Sequence, residues 1–479
     1  MKKLLIANRG EIARRIIRTA ERMGIETVAI YSDIDTPAPY VQEATEAYRL
    51  PGVTPGETYL RVDAVLDIAK RSGADAIHPG YGFLSENALF AKRCAEANIT
   101  FVGPSPEAIE HLGSKTNARR LAIDSGVPVM PGTTSGVASL EEARKTAEEI
   151  GYPVLLKAAA GGGGKGMRVV REASELESGL RAAQGEAMTA FGDDEVFVEK
   201  YVEEPRHIEI QVVADQQGNI LVLGERECSI QRRHQKVVEE APSVALDDDL
   251  RKRMFASAEK LVAAANYTNA GTLEFLLDSS GNYYFLEVNT RLQVEHPVTE
   301  MVTGLDLVEL QIRVARGEEL PVKTEEIVRR GHAIECRICA EDSYDNFLPS
   351  IGRIFDLREP VGEGIRVESS IYPGMEVSLY YDPMIAKLVC WGEDRNAAIA
   401  QTLEALDNYH IAGVATTIPF CRSVLQNEDF RSGNFSTGYV KKHWVEPKQE
   451  VSDDLLRMAA AAAILTEERV RERVEGTAS

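Results

Sequence analysis

Two glutamates in the segment GTLEFLLDSSGNYYFLEVN, residues 271–289, stand where a metal ion could be bound. Two apolar strand patterns flank the turn-forming stretch Asp278–Asn282, which predicts a β-hairpin. If the hairpin turns at Ser280–Gly281, Glu274 lies directly opposite Glu287. Two carboxylates about 5 Å apart repel each other by about 3 kcal/mol at an effective dielectric constant of about 20, and a divalent cation reverses that cost. The pair therefore predicts a metal site, and its oxygen ligands favour Mg²⁺ or Mn²⁺.

Polar side chains continue at every second position after this pair. If the chain stays extended, one face carries Glu287, Asn289, Arg291, Gln293 and Glu295, while Val288, Leu292 and Val294 point away. We expect this polar row to converge beside the metal. A solvated strand face is the alternative interpretation, but it gives no reason for two opposed glutamates.

Four consecutive glycines precede a lysine in KAAAGGGGKGM, residues 157–167. The phosphate-binding pattern G-x-x-x-x-G-K-[ST] is absent, because Ala159 occupies its first glycine position and Gly166 its last position. Strand patterns at 154–157 and 167–170 instead place the glycines at the tip of a hairpin. A tip of this composition is typical of a flap that closes over a ligand.

The chemistry of this flap suits a phosphate. Glycine lets backbone N–H groups approach phosphate oxygens closely, and Lys157 and Lys165 add positive charge. A flexible surface linker is the alternative. A glycine flap combined with a carboxylate metal site is what a nucleoside triphosphate with magnesium requires, so phosphoryl transfer becomes the leading reaction class.

The elements that must position these residues alternate between strand and helix along the chain, which predicts a mixed α/β fold. Residues 3–7 and 27–32 have strand patterns on either side of helical spacing at 11–24, which is a βαβ unit. Its turn, Asn8–Gly10, has one glycine where a dinucleotide-binding loop has three, so it gives little support to a cofactor site.

Glycine–proline clusters and helix ends divide the chain into units. We expect boundaries near residues 113 and 320, which gives units 1–112, 113–320 and 330–445. After Ser452 the pattern is that of a capped helix, so 450–479 is expected to be a helical tail. Such a tail is either solvated or a docking element for a partner.

The charge balance disfavours a nucleic-acid partner. The chain has 54 Lys and Arg against 75 Asp and Glu, a net charge of −21, which repels nucleic acid. The basic run from Gln231 to Lys236 is short and is followed at once by Glu239–Glu240, so it predicts a local site for a small anion.

The apolar run at the start of the chain is too short for a signal peptide, and no stretch approaches the length of about 18 apolar residues that a membrane span needs. We therefore expect a cytoplasmic protein without a membrane partner. Six cysteines are too few for a disulfide framework, and Cys336 and Cys339 fall on opposite faces of a strand pattern, which disfavours a shared zinc ion.

Several longer motifs together resemble the biotin carboxylase family of ATP-grasp enzymes. Between residue 2 and about residue 445 they occur in the order IANRGEIA, HPGYGFLSEN, GGGGKGMR, ERECSIQRRHQKVVEEAP, FLEVNTRLQVEHPVTE and GHAIECRI. The resemblance implies an ATP-grasp fold with a Rossmann-like N-terminal domain, a lid at about 130–203 and a C-terminal biotin carboxylase domain. It also implies ATP-dependent carboxylation of biotin by bicarbonate.

The resemblance assigns a role to each matching residue. For binding ATP the matching positions are Lys115, Lys157, Gly163, Gly164, Met167, Glu199, Lys200, Tyr201, Val202, His207, Gln231 and His234. The implied ligands of Mg²⁺ or Mn²⁺ are Glu274, Glu287 and Asn289, the two glutamates also serving the nucleotide site. The implied bicarbonate site consists of Lys236, Arg291, Gln293 and Val294. Glu295 matches the general base, and Arg337 matches the residue that binds the ureido oxygen of biotin.

The implied reaction has two stages. Glu295 removes the proton of bicarbonate, whose oxygen attacks the γ-phosphate of ATP to give carboxyphosphate and ADP. Carboxyphosphate then breaks down to CO₂ and phosphate, the phosphate deprotonates biotin, and Arg337 stabilises the charge that develops on the ureido oxygen.

The resemblance also implies partners. The Met-Lys-Met motif on which family carriers hold biotin is absent, so we expect the chain to work with a separate biotin carboxyl carrier protein. The resemblance further implies a carboxyltransferase subunit as a partner and a homodimer of this chain. The final acceptor, acetyl-CoA or pyruvate, stays open. Lys165, Cys339 and Thr417 depart from the family pattern outside the catalytic positions, and they leave the branch of the family open.

Three other interpretations remain open at the level of sequence. A carbamoyl-phosphate-forming ATP-grasp ligase shares the flap and the metal site but lacks the set formed by Arg291, Glu295 and Arg337. A nicotinamide-dependent dehydrogenase needs the missing glycine fingerprint. A nucleotide-binding regulator needs no base beside the metal.

Overall fold

The structure, a computed structural model, describes residues 1–158 and 167–444. The glycines expected to form the flap tip, Gly163 and Gly164, and the expected helical tail at 450–479 lie outside these residues. Within the two described ranges, every helix is too short or too polar to traverse a bilayer.

The N-terminal part is built on a five-stranded parallel sheet. Its strands are β1 (Lys3–Ile6), β2 (Glu26–Tyr31), β3 (Glu46–Arg49), β4 (Ala76–His78) and β5 (Thr100–Phe101), and its helices are α1 (Gly10–Arg22), α2 (Pro39–Glu43), α3 (Val62–Ser72), α4 (Ala88–Glu96) and α5 (Pro106–Gly113). The sheet order is β3-β2-β1-β4-β5, and the apolar strand β1 is buried at its centre. The βαβ unit predicted from the alternating patterns is confirmed.

The middle part supplies the lid and most of the central sheet. Its helices are α6 (Lys115–Asp124), α7 (Leu140–Ile150), α8 (Leu176–Phe191), α9 (Asp248–Ala264), α10 (His296–Thr303) and α11 (Leu307–Ala315). Its strands are β6 (Val154–Ala158), β7 (Met167–Val170), β8 (Val196–Lys200), β9 (Arg206–Ala214), β10 (Ile220–Arg232), β11 (Gln235–Ala241), β12 (Asn269–Leu277) and β13 (Tyr283–Asn289).

The predicted glycine hairpin is confirmed in its two strands. Strands β6 and β7 pair antiparallel, with Val154 opposite Val170 and Lys157 opposite Met167. Strand β8 pairs with the other edge of β6, and α7 and α8 pack on this small sheet through an apolar cluster. The lid therefore has its own core.

The C-terminal part extends the central sheet. Its strands are β14 (His332–Cys339), β15 (Glu341–Asp342), β16 (Leu348–Pro349), β17 (Gly352–Arg353), β18 (Asp356–Arg358), β19 (Ile365–Ser369), β20 (Glu376–Val377), β21 (Met384–Gly392) and β22 (His410–Ala412). Its helices are α12 (Arg395–Asn408), α13 (Ile418–Gln426), α14 (Glu428–Arg431) and α15 (Tyr439–His443).

One eight-stranded sheet crosses the boundary that we expected near residue 320. Its order is β13-β12-β9-β10-β11-β14-β21-β19, and β11 pairs antiparallel with β14 so that Val238 lies opposite Cys336. Cys336 and Cys339 lie in β14, which confirms the predicted strand, and both are buried. The second and third units thus share backbone hydrogen bonds and one rigid scaffold.

The two faces of β14 and β21 differ sharply in polarity. Ile334, Cys336 and Leu388 belong to the apolar core that α12 and α13 cover. Arg337 and Lys387 lie directly opposite each other in the register of the two strands and therefore point to the other face. That face packs against α10 and α1, so it carries charge into the interior of the molecule.

Candidate active site

A cavity of 1420 Å³ lies where the N-terminal part, the lid, the central sheet and the C-terminal part meet. Every described residue to which the sequence analysis gave a site role lines this cavity: Lys115, Lys157, Met167, Glu199, Lys200, Tyr201, Val202, His207, Gln231, His234, Lys236, Glu274, Glu287, Asn289, Arg291, Gln293, Val294, Glu295 and Arg337. Its volume exceeds the range of about 300–1,000 Å³ that is usual for a single small ligand.

Glu274 and Glu287 are paired as the sequence predicted, but the register near the turn differs from the prediction. Glu274 lies opposite Glu287, whereas Phe275 lies opposite Phe285, one residue off the expected register. An irregularity in the ladder at Leu286 absorbs the extra residue. The bulge therefore restores the predicted pairing at the two glutamates.

The prediction that the chain stays extended from Glu287 to Glu295 is wrong. Strand β13 ends at Asn289, and Glu295 is the N-cap of α10, with Pro297 in its first turn. Proline is well tolerated there because its missing N–H is not needed in the first turn. Residues 290–295 form a non-helical connection, and four of them, Arg291, Gln293, Val294 and Glu295, line the cavity.

This connection, which we call the 290–295 segment, is fixed at its start by Glu86. The backbone N–H of Thr290 donates to Glu86 Oε1 at 3.0 Å, and Arg291 Nε lies 2.8 Å from Glu86 Oε2. The guanidinium of Arg291 also donates to Gln293 Oε1 at 2.7 Å and to Asn289 Oδ1 at 3.1 Å. These bonds, not strand alternation, bring the polar side chains together.

Lys236 lies at the centre of a buried carboxylate cluster. Its Nζ is 2.8 Å from Glu295 Oε1 and 3.0 Å from Glu274 Oε1, and it also contacts Glu209. Burial disfavours its charged form, but the three carboxylates outweigh burial and raise the pKa of Lys236 well above its ordinary value. The ammonium is therefore permanently charged.

Glu295 joins this ammonium to a second cation. Its Oε2 accepts from the guanidinium of Arg337 at 2.9 Å, while Arg337 Nε donates to Glu239 at 2.5 Å. Burial opposes ionisation of Glu295, but the charges of Lys236 and Arg337 outweigh it and lower the pKa of Glu295 well below its ordinary value. Glu295 is thus a fully buried carboxylate with one cation on each oxygen.

The residues expected to bind a metal fit a hard cation by their chemistry. Glu274 Oε1 accepts from Asn289 at 2.8 Å, its Oε2 lies 3.0 Å from His207 Nε2, and Glu287 lies 3.6 Å from Lys115. Two carboxylates and an amide oxygen on one cavity wall are the ligand type that Mg²⁺ prefers.

The basic run forms the hairpin between β10 and β11. Gln231 lies opposite Lys236, and Arg233 and His234 both adopt left-handed backbone conformations, with φ of 49° and 67°. Two such residues in succession match the two-residue turn of a tight hairpin, although neither is glycine. The turn holds His234 at the cavity edge and Lys236 inside.

On the lid side, Glu199 in β8 forms ion pairs with two cationic side chains. Lys157 Nζ lies 3.8 Å from Glu199 Oε2, and Arg119 lies 3.3 Å from Glu199 Oε1. Lys200 instead donates to the carbonyls of Gly151 and Tyr152, each at 3.0 Å, so its ammonium connects β8 to the residues just before β6. Both Lys157 and Lys200 line the cavity.

Sequence reasoning missed four charged residues of the site. Glu86 holds Arg291, Glu239 holds Arg337, and Glu209 holds both Lys236 and the fully buried Arg226. Burial and the charge of Glu295 outweigh these cations and raise the pKa of Glu209 to about 7. A readable signal existed for Glu209, which lies between two isoleucines in β9, whereas Arg226 lies between Glu225 and Glu227 in β10 and gave no such signal.

Family models match nearly the whole described chain. Residues 1–109 match the model described as biotin carboxylase, N-terminal domain, and residues 335–442 match the biotin carboxylase C-terminal domain. Between them, residues 114–323 match the carbamoyl-phosphate synthase L chain, ATP binding domain.

Relatives and solved structures agree with these models. Biotin carboxylase 1 of Bacillus subtilis is 52% identical over 92% of this chain and 99% of its own length. A pyruvate carboxylase subunit of Methanothermobacter thermautotrophicus is 50% identical over 92% of this chain and 90% of that protein. The biotin carboxylase domain dimer of Hydrogenobacter thermophilus 2-oxoglutarate carboxylase superposes with a TM-score of 0.88 at 49% identity, covering 92% of this chain and 97% of that one. With domain models, overall identity and fold in agreement, the chain belongs to the biotin carboxylase family of ATP-dependent ligases.

Proposed function

We propose that this chain uses ATP and bicarbonate to carboxylate biotin that is carried on a separate protein. The observation that carries the proposal is the position of Glu295, which has Lys236 on one oxygen and Arg337 on the other. A base flanked by two cations suits a reaction in which one anion is deprotonated and a second negative charge develops close by.

The nucleotide end of the cavity would hold ATP. Lys115 and Lys157 are placed to bind its phosphates, with the glycine flap of Gly163 and Gly164 closing over them. Tyr201, Val202, Gln231 and His234, together with His207, would line the adenosine pocket. Glu274, Glu287 and Asn289 would hold Mg²⁺ or Mn²⁺, which neutralises phosphate charge when bound.

The 290–295 segment would bind bicarbonate. Arg291, Gln293 and the Val294 backbone face the same part of the cavity as Lys236, so an anion there meets two positive charges. Bicarbonate is the anion named in the Hydrogenobacter structure to which this chain is similar. Glu295 would take its proton, and the resulting oxygen would attack the γ-phosphate to give carboxyphosphate and ADP.

Substrates would activate Glu295 as they bind. With both cations in contact, its low pKa makes it a weak base. Bicarbonate draws Lys236 away, and the ureido oxygen of biotin draws Arg337 away, so each substrate lets the pKa of Glu295 rise. Proton removal therefore depends on both substrates, which limits futile hydrolysis of ATP.

Arg337 would stabilise the negative charge on the ureido oxygen through a charge-assisted hydrogen bond. The biotin would arrive on a carrier protein and pass its carboxyl group to a separate carboxyltransferase. Acetyl-CoA and pyruvate are both candidate final acceptors, since the relatives include part of a pyruvate carboxylase. We further propose that the chain forms a homodimer in the cytoplasm.

The test is ADP release by the purified chain with Mg²⁺, with and without bicarbonate and free biotin. We expect release to require bicarbonate and to rise with biotin. Stimulation by ammonia in place of biotin would support a carbamoyl-phosphate-forming ligase instead. ADP release at the same rate with and without bicarbonate would contradict both activities.

A further inference from the structure

Lys387 in β21 carries an ammonium group into the interior of the molecule. The residue has no exposed surface, and its Nζ donates to the carbonyl oxygen of Val294 at 2.8 Å and lies 3.1 Å from Glu11 Oε1. Burying an unpaired ammonium is strongly unfavourable, so these two acceptors stabilise Lys387 in its buried position. One of them is the backbone of the 290–295 segment.

The strand pattern explains how the side chain reaches that carbonyl. Lys387 lies opposite Arg337 in β14 and opposite Glu368 in β19, so all three project from the same sheet face toward α10 and α1. Like charges placed directly opposite each other repel. Arg337 is compensated by Glu239 and Glu295, and Glu368 pairs with Arg18 and Arg366, so the direct partners of Lys387 are Glu11 and the carbonyl dipole.

Glu335, another carboxylate near Lys387, is a poor anionic partner. It is fully buried, and among the described residues neither of its carboxylate oxygens has a hydrogen-bond partner. Burial raises the pKa of Glu335 well above its ordinary value against the opposing charge of Lys387, which favours the neutral form of Glu335. Glu11, at the start of α1, is therefore the anion that holds the ammonium.

Glu11 also connects this ammonium to a second cavity wall. Its Oε1 accepts the hydroxyl hydrogen of Tyr81, and Lys387 Nζ lies 5.7 Å from the centre of the Tyr81 ring. Glu11, Tyr81 and Val294 all line the cavity. The ammonium thus joins the N-terminal part, the C-terminal strand and the 290–295 segment at one point.

We infer that Lys387 is a positioning residue that fixes the end of the 290–295 segment and so sets the placement of Glu295 and of the bicarbonate-binding groups. The segment is then anchored at both ends, by Glu86 at Thr290 and Arg291 and by Lys387 at Val294. The part that concerns bicarbonate rests on the proposed function. The part that concerns the segment's geometry does not.

The test compares Lys387→Met, which keeps the length of the side chain but removes the charge, with Arg395→Met as a matched control. Arg395 is also a mostly buried cation, paired with Glu240 at 2.7 Å, but it lies away from the cavity. Lys387→Arg retains the charge and a donor, and it replaces Lys387→Met if that variant does not fold. Steady-state kinetics and hydrogen exchange of residues 290–296 are measured on the full-length chain.

For Lys387→Met we expect the KM for bicarbonate to rise at least about tenfold. Small misplacements of positioned groups lower reaction rates by up to about 100-fold. The KM for MgATP should change less than about twofold, and amide exchange in 290–296 should accelerate. Lys387→Arg should show the same changes at smaller size. Arg395→Met should lower thermal stability without these changes.

Two results would overturn the inference. One is unchanged exchange in 290–296 in the folded variant, and the other is an equal rise in both KM values. If the wild-type chain shows no bicarbonate-dependent turnover, the proposed function fails, and the exchange measurement alone still decides the role of Lys387.

Discussion

The hairpin β12–β13 and the 290–295 segment are consecutive in the chain, yet they are shaped by different forces. The hairpin holds Glu274 opposite Glu287 through backbone pairing between residues fewer than twenty positions apart. The segment holds Glu295 through Glu86, Lys236 and Arg337, which come from distant parts of the chain. The carboxylate pair therefore has a locally determined geometry, whereas the base depends on the complete fold.

The strongest test of this contrast is Glu295→Gln. The amide keeps the shape of the side chain but cannot accept a proton, so we expect biotin-dependent turnover to fall at least about 100-fold while MgATP binding is retained. Glu300→Gln is the matched control, since Glu300 is a buried carboxylate in the same helix that lies outside the cavity. Turnover within a few-fold of wild type in Glu295→Gln would show that Glu295 is not the base.

The hairpin is tested by Glu274→Gln and Glu287→Gln. Each removes one anionic oxygen, so we expect the Mg²⁺ concentration for half-maximal ADP release to rise at least about tenfold, the order found when metal sites lose supporting contacts. Glu274→Gln should have the larger effect, because Glu274 also pairs with Lys236 and His207. Glu259→Gln, at an exposed position on α9, is the control. Wild-type Mg²⁺ dependence in both variants would contradict the metal assignment.

A smaller effect is expected at the anchored start of the 290–295 segment. Glu86→Gln keeps an acceptor for the Thr290 N–H but removes the charge paired with Arg291. Glu86 is partly exposed, so solvent screens the pair and we expect a rise of about fivefold in the KM for bicarbonate, equivalent to about 1 kcal/mol. A change in the KM for MgATP of the same size would place Glu86 outside the bicarbonate site.

The smallest effect concerns stability and pH at Glu209, which lies beneath both regions. Its pKa in the folded chain is raised to about 7, so the native state binds a proton that the unfolded state has lost above about pH 4.5. This contribution to stability is complete below about pH 4.5 and is lost as the pH rises to about 7. Glu209→Gln should therefore make the fall in thermal midpoint between pH 5 and about pH 7.5 shallower. A steeper fall would contradict the raised pKa.

The sequence predicts the hairpin better than it predicts the 290–295 segment. Period-two alternation and a turn of Asp, Ser and Gly were enough to predict the facing of Glu274 and Glu287, even though a bulge at Leu286 was not foreseen. The end of the strand at Asn289 was missed, because side-chain anchors rather than backbone pairing hold the residues beyond it.

The contacts that the sequence analysis did not predict have no signal in the neighbouring sequence. Glu86 and Arg291 are 205 residues apart, and Glu300 and Arg15 are 285 apart, so nothing in the neighbourhood of either partner identifies the other. The described residues that the resemblance named all line one cavity, but the resemblance gave no role to Glu11, Glu86 or Lys387. Their roles depend on which walls meet, and only the assembled fold shows that.

The continuous central sheet has a consequence for how this protein can be divided. A chain cut between residues 323 and 332 would separate β11 from β14 and leave the strand that carries Lys236 as an open edge. Exposed strand edges of that kind recruit other strands and aggregate. A cut at this place is therefore expected to destabilise both parts of the chain, although separate family models describe them.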